Sequence, residues 1–255
     1  MKTYKKGEGN PEYTIVGSIH GDEPAGKKAI ENFIEGQKEF KKPVKFIIAN
    51  EEALEAGERF LDVDMNRSFP GDAESDKHEE KLAAKIMNEI EGTKVLDIHT
   101  THSYPHPFAT FSNLNDETRE LLQSAGVKNA VYFPESSGTL NEQFDGVVVE
   151  AGHQGTSQAV KNAQGVIRNF LAAEEVIEGD YERTDPVVYR YKDTVEGDWK
   201  FKAENFKKVE KGETFAVNDE GEELVAEERF YPVLMSTNGY DGQLGFRAQR
   251  EEKLE

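Results

Sequence analysis

His20 and Glu23 stand three positions apart, His99 closes the run Lys94-Val-Leu-Asp-Ile-His99, and Glu150 closes Gly146-Val-Val-Val-Glu150. Two imidazoles and a carboxylate form the ligand set of catalytic zinc sites, where three protein groups leave a further position open for water. Each residue alone has an ordinary reading: His20 as a turn residue, Glu23 as an acid at a helix N-terminus, His99 as a satisfied core histidine. A His-x-x-Glu pair also recurs by chance in unrelated chains. A second histidine at the end of another apolar run favours the metal reading, because an imidazole is costly to bury without a partner. Glu150 leaves an apolar strand, where desolvation holds a carboxylate less ionised than at the surface. Such a group suits proton transfer from a zinc-activated water; ion pairing is its ordinary alternative.

A third cluster lies in Arg59-Phe-Leu-Asp-Val-Asp64-Met-Asn66-Arg67-Ser-Phe-Pro-Gly71. Arg67 can take a carboxylate through two parallel bonds, Asn66 can add an amide donor, and Arg59 can polarise a carbonyl. Asp64 can hold a ligand imidazole by its second nitrogen. The same residues would also make an ordinary loop with local salt bridges.

These side chains need a scaffold to gather them, and the hydrophobic pattern supplies one. Short apolar runs predict strands over 13–19, 44–49, 94–98, 108–111, 130–133 and 146–149. Helical spacing is expected over 25–35, 76–91, 116–124 and 156–175, with Leu82, Ile86, Met87 and Ile90 on one face of the second. This alternation implies an α/β fold with a parallel or mixed sheet flanked by helices. In such sheets ligands bind beyond the carboxyl ends of the strands, so one sheet edge is expected to collect His20, Glu23, His99 and Glu150. After residue 180 the order changes. Short β-like runs at 187–191, 215–217, 230–235 and 244–248 are split by charged turns such as Asn218-Asp-Glu-Gly221. The expected division is a catalytic domain over 1–180 and a small all-β domain over 181–255, with the boundary at 179–185. The acidic tail from residue 250 is expected to fray.

Composition narrows the chemistry further. The chain has no cysteine, so a metal must be held by histidine and carboxylate groups. The formal charge of −19, from 50 acidic against 31 basic residues, would repel phosphate backbones and anionic membranes, which argues against nucleic acid as a partner. A solvated, solubilising surface accounts for that charge; adaptation to high internal salt is the alternative. No apolar stretch approaches the roughly 20 residues of a membrane span, and the charged start lacks the apolar middle of a secretory signal. A cytoplasmic protein is expected.

His20-Gly-Asp-Glu23, Asp64-x-Asn66-Arg67, His99 in Leu96-Asp-Ile-His-Thr, and Glu150 in Val-Glu-Ala-Gly, in this order, resemble the succinylglutamate desuccinylase and aspartoacylase family, which belongs with the zinc carboxypeptidases. Phe230-Tyr-Pro-Val-Leu-Met-Ser and Asn238-Gly-Tyr240 look like the family's C-terminal β domain, so the resemblance covers most of the chain. It implies that His20, Glu23 and His99 bind one zinc per chain, with Glu150 as general base and then proton donor to the leaving amine. It also implies that Arg59 stabilises the oxyanion, Asn66 and Arg67 grip the substrate carboxylate, Asp64 orients His20, and Tyr240 reaches in from the small domain. One departure bears on the substrate. Aspartoacylase-like members place an arginine before the Glu-bearing strand to bind a side-chain carboxylate, whereas 133–149 holds neither arginine nor lysine and carries Ser136-Ser-Gly-Thr-Leu140 instead.

The expected activity is therefore hydrolysis of the amide bond of an N-acyl amino acid or related small molecule by zinc-activated water. A carboxypeptidase or an ester hydrolase could use the same site, and a zinc-containing binding protein would keep the ligands without turnover. Nickel or cobalt could occupy the same ligands. A nucleotide-binding α/β protein fits less well, since no glycine-rich phosphate loop follows the first strand. His102, His106 and His153 are either substrate-binding or solvated loop residues, and an assembly of identical subunits is compatible with all these readings.

Overall fold

A computed structural model of the chain describes residues 1–134, 137–144, 146–237, 239, 240 and 242–251. Ser136, Asn238 and the tail from residue 252 lie outside the described residues. The chain begins with β1 (Lys2–Lys6), β2 (Tyr13–Gly17), α1 (Ala25–Gly36), β3 (Val44–Ile48), α2 (Glu51–Ala56), α3 (His78–Ile90) and β4 (Lys94–Thr101). It continues through β5 (Phe108–Phe111), α4 (Asp116–Ala125), β6 (Asn129–Tyr132), β7 (Gly146–His153) and α5 (Ser157–Ala173). The C-terminal part adds β8 (Val187–Glu196), β9 (Lys200–Phe201), β10 (Thr214–Val217), β11 (Glu223–Val225), β12 (Tyr231–Val233) and β13 (Gln243–Arg250).

Ten of these strands form one mixed sheet, ordered β1-β3-β2-β4-β7-β5-β6-β8-β13-β12, and β9, β10 and β11 form a small antiparallel sheet. The strands β3, β2, β4 and β7 are mutually parallel and make the centre. A central parallel strand is buried on both faces, and its side chains alternate between them. Ile15, Phe46, Leu96, Ile98, Val147 and Val149 meet Ile30 and Phe33 of α1, Leu121 of α4 and Ile167 and Phe170 of α5 on one face. Val16, Ile47 and Val95 meet Leu82, Ala83, Ile86 and Ile90 of α3 on the other. Fully burying a side chain of this size contributes about 2–3 kcal/mol, so the two apolar layers clamp the centre of the sheet, where the site sits. The helix starts are capped as their sequences allow: Asn115 accepts from Thr118 N at 2.8 Å, and Thr156 from Ala159 N at 3.1 Å.

Three features depart from the sequence pattern. The lysine-rich start forms β1, an antiparallel edge strand on β3 that carries no apolar alternation to announce it. β4 and β7 run past their apolar stretches to Thr101 and His153, so His99 and Glu150 lie within paired strands rather than at their ends. The main sheet also crosses the expected boundary near residue 180, because β8 pairs in parallel with β6 and then receives β13 and β12. No helix among the described residues is long and apolar enough to cross a membrane.

Candidate metal centre and active site

From β2 the chain moves to β3 on one side and then returns to β4 on the other, so the carboxyl ends of β2 and β4 flank a topological switch point. A crevice forms where strand order reverses in this way. The loop leaving β2 is held tightly there. Ser18 adopts a positive φ of 58°, and its hydroxyl accepts from Lys27 N at 3.0 Å while donating to the Glu23 carbonyl at 2.9 Å. Left-handed backbone at a non-glycine residue is strained and persists where surrounding bonds fix it. Gly21 has to be a glycine: a Cβ there would fall 2.2 Å from the Ala53 carbonyl carbon. Its N–H donates to the Arg59 carbonyl at 3.0 Å, tying the metal loop to the arginine loop.

His20, Glu23 and His99 are all buried, and one ligand atom from each lies within 4.8 Å of the others. Nδ1 of His20 is 2.8 Å from Glu23 Oε1, and Nδ1 of His99 is 3.4 Å from Glu23 Oε2. Glu23 Oε2 also accepts from Thr100 N at 2.7 Å. The outer ring nitrogens are each held by a second carboxylate, His20 Nε2 by Asp64 at 3.1 Å and His99 Nε2 by Asp97 at 2.9 Å. Both inner nitrogens therefore face the shared carboxylate, and the outer pairs fix each ring's orientation, as carboxylate partners do for metal-bound histidines. Burial alone would lower the imidazoles and raise Glu23. The charge of Glu23, joined by the hydrogen bond that Asp64 accepts from the ring, instead raises His20. Asp97 and Glu23 hold His99 well above its usual value, and the two imidazoles hold Glu23 well below the carboxylate range. This donor set fits a divalent cation of the zinc class.

Glu150 of β7 is the register partner of His99 in β4. Its Oε2 is buried without a hydrogen-bond partner among the described residues. Burial pushes its carboxyl up to about 7, with help from the charges of Glu23 and Asp97 and against the pull of His99 and His20. A buried polar atom left unpaired is unusual in a core and marks a group with business elsewhere.

The loop that carries Arg59, Asp64, Asn66 and Arg67 comes to the same place. Arg59 reaches Glu23 at 3.3 Å, His20 Nε2 at 3.0 Å and Asp64 at 3.5 Å. Asp64 also accepts from Asn66 N at 2.9 Å, and burial is outweighed by His20, Arg59 and Arg67, so its carboxyl lies far below the usual range. The Asn66 side-chain carbonyl accepts from Leu140 N at 3.0 Å. Arg67 is exposed, and its charge acts on both Asp64 and Tyr240. Tyr240 has a partly exposed ring, but its hydroxyl feels Glu150, Glu23, Arg59 and Arg67; burial and the two carboxylates keep it protonated. All nine residues singled out from the sequence thus converge: His20, Glu23, His99, Glu150, Arg59, Asp64, Asn66, Arg67 and Tyr240. No hydrogen bond or ion pair joins His102, His106 or His153 to this cluster among the described residues; His106 is exposed and packs on Tyr104.

Two contributors were not picked out by the sequence. Asp97 is one, although alternation along a strand puts it on the same face as His99. Glu79 is the other: fully buried at the start of α3, it accepts from the backbone N–H groups of Leu61, Asp62 and Val63 at 2.8, 3.0 and 3.2 Å and from the Asn50 side chain at 3.1 Å. It anchors the loop between Arg59 and Asp64. Its signal was a carboxylate on the helical face that also carries Leu82, Ala83, Ile86 and Ile90.

Comparison with known proteins bears on the family and the fold. The sequence profile of the succinylglutamate desuccinylase/aspartoacylase catalytic domain matches residues 10–173. Probable aspartoacylases from two strains of Prochlorococcus marinus, MIT 9215 and AS9601, are each 34% identical over 100 residues, covering 34% of this chain and 33% of theirs. The match thus spans about a third of these curated relatives. Among solved structures, a succinylglutamate desuccinylase/aspartoacylase from Rhodobacter sphaeroides is similar with a TM-score of 0.80 and 20% identity, over 98% of this chain and 89% of that one. Murine aminoacylase 3 is similar with a TM-score of 0.74 and 18% identity, over 96% and 97%. The product-bound ectoine utilization protein EutE from Ruegeria pomeroyi is similar with a TM-score of 0.79 and 18% identity, over 97% and 87%. At these identities the structural likeness establishes the fold.

Proposed function

Because the chain belongs to the succinylglutamate desuccinylase/aspartoacylase family, we propose that it is a zinc-dependent hydrolase of the amide bond in an N-acyl amino acid or related small molecule. The observation that carries this reading is the Glu150 carboxylate, its Oε2 buried and unpaired among the described residues, set in register beside His99 of the His20-Glu23-His99 cluster. A binder of zinc alone has no need of a base there.

His20, Glu23 and His99 would hold the zinc, which supplies Lewis-acid polarisation of the substrate carbonyl and a lowered pKa for water. Glu150 takes the proton from the attacking water and delivers it to the amine nitrogen as the C–N bond breaks; the resulting carboxylic acid passes its own proton to the released amine, giving a carboxylate and an ammonium. Arg59 donates to the oxyanion as the carbonyl becomes tetrahedral. Asn66 and Arg67 take the amino-acid carboxylate. Tyr240 supplies a protonated hydroxyl from the C-terminal segment, while Asp64 and Asp97 keep the imidazoles turned inward.

The substrate class follows from what borders the carboxylate clamp. Phe69 N donates to the Gly138 carbonyl at 3.0 Å, and a Cβ on Gly138 would fall 2.5 Å from the Arg67 carbonyl oxygen. The segment seated against Asn66 and Arg67 is therefore part of 133–149, which has no arginine or lysine. An amino acid without a side-chain carboxylate is the favoured substrate.

The test measures metal content of freshly purified protein by mass spectrometry, together with amino-acid release from a panel of N-acyl amino acids before and after chelation. About one zinc per chain with chelator-sensitive release is expected. Protein that neither carries nor takes up zinc, or zinc-loaded protein with no turnover across the panel, would overturn the proposal.

A further inference from the structure

Asn205 lies between β9 and β10 and is buried, yet its partners belong to two segments distant in sequence. Its Nδ2 donates to the Ser103 carbonyl at 2.9 Å and to the Met235 carbonyl at 2.8 Å, and its Oδ1 accepts from Met235 N at 2.9 Å. Ser103 lies on the loop that leaves β4 just after His99. Met235 opens the segment that ends at Tyr240.

The remaining ties of that segment run to its own side of the molecule. Ser236 N donates to the Leu244 carbonyl at 2.9 Å, and Thr237 Oγ1 accepts from Phe201 N at 2.8 Å, so β13 and β9 hold it. Among the described hydrogen bonds, only those of Asn205 join the segment to the loop after His99. A buried side-chain amide satisfying three backbone groups at once is costly to lose, since each group would be left desolvated and unpaired. Asn205 therefore sets the offset between the strand that carries a metal ligand and the segment that carries Tyr240.

We propose that Asn205 is a positioning residue that holds Tyr240 over the metal centre by stapling the 235–240 segment to the loop following His99. This rests on the reading of Tyr240 as a substrate-binding group. Because β9 and β13 keep the segment folded, losing the staple moves Tyr240 relative to the metal without removing a ligand or the base.

The test uses the full chain carrying Asn205→Asp, which keeps the side-chain volume and the acceptor for Met235 N–H but sets an anion against two carbonyls. If that variant does not fold, Asn205→Ser removes the donors without adding charge. With the zinc-loaded enzyme, KM is expected to rise about tenfold with kcat changed by less than about threefold, the pattern of lost binding rather than lost chemistry. Zinc content should equal wild type. Adding Tyr240→Phe should raise KM no further than Tyr240→Phe alone does, because both changes remove one interaction. Independently of turnover, deuterium uptake over 234–240 should quicken while that over 94–99 stays at the wild-type rate. A KM effect that adds fully to that of Tyr240→Phe, or unchanged uptake over 234–240, would overturn the proposal. If the wild-type chain hydrolyses no N-acyl amino acid, the hydrolase reading fails and the exchange measurement still decides the staple.

Discussion

His99 and Glu150 occupy matched positions on adjacent parallel strands, so a candidate metal ligand and a carboxylate left unpaired among the described residues stand side by side with their separation fixed by the hydrogen-bond ladder of β4 and β7. Strand pairing makes that spacing far less adjustable than a loop would. The two proposed roles can then be separated by mutation while the strand geometry stays in place.

Glu150→Gln should retain wild-type zinc content and lower kcat by about a thousandfold, the scale of a general base. Glu23→Ala should instead lose the metal, since it removes the carboxylate that both imidazoles face. Metal analysis beside single-turnover rates distinguishes the two; a Glu150→Gln enzyme with near wild-type kcat sinks the assigned role.

The pH profile follows from the same carboxyl. Glu150 acts as a base only when ionised, so kcat/KM should fall as pH drops through its pKa. Burial pushes that pKa up to about 7. A bound dication favours the charged form and shifts the acid limb below that value. A profile of kcat/KM against pH that is flat from about 8 down to about 4 would exclude this assignment.

Asp97→Asn keeps the shape of the group behind His99 but removes its charge. Loss of such a partner typically weakens metal binding about 10–100-fold. Competition with a chelator of known affinity reads this directly, and unchanged affinity would mean that Asp97 only packs.

Glu79 gives a stability prediction with a defined sign. Burial would raise its carboxyl, but the N–H groups of Leu61, Asp62 and Val63 and the Asn50 amide hold it below 4.5. Its contribution is therefore present above that ordinary value and is lost as pH falls through the lower folded one. Glu79→Gln should cost about 2 kcal/mol near neutral pH, the scale of hydrogen bonds to a charged group. The gap in urea midpoints between mutant and wild type should narrow below about pH 4. A gap that stays constant with pH would refute the charged anchor.

The sequence carried the central strands and the clustered His20, Glu23 and His99 because both leave local marks. Apolar runs show a buried parallel strand, and a histidine or glutamate beside such a run stands out. β1 left no mark, since an edge strand of Lys2, Tyr4, Lys5 and Lys6 reads as a charged leader. Glu79 interrupts an apolar helical stripe and looks like an ordinary surface acid until the loop it anchors is seen. Asn205 was illegible for a deeper reason: its partners lie 102 and 30 residues away, and no local pattern encodes a contact that only the closed fold creates.

The two rims of the large sheet have a bearing on how copies of this chain can associate. At one rim, β1 presents lysine at three of its five positions, and like charges oppose the approach of an identical strand. At the other, β12 contains Pro232, which lacks an N–H, and its outer side is already occupied: Phe206 N donates to the Pro232 carbonyl at 2.8 Å, while Val209 and Phe230 exchange bonds of 2.9 and 3.1 Å. Neither rim is a good template for growth by strand addition. A homo-oligomer of this protein would have to be assembled through helix faces or loops, and swapping or fibrillar extension of the sheet is disfavoured from both ends.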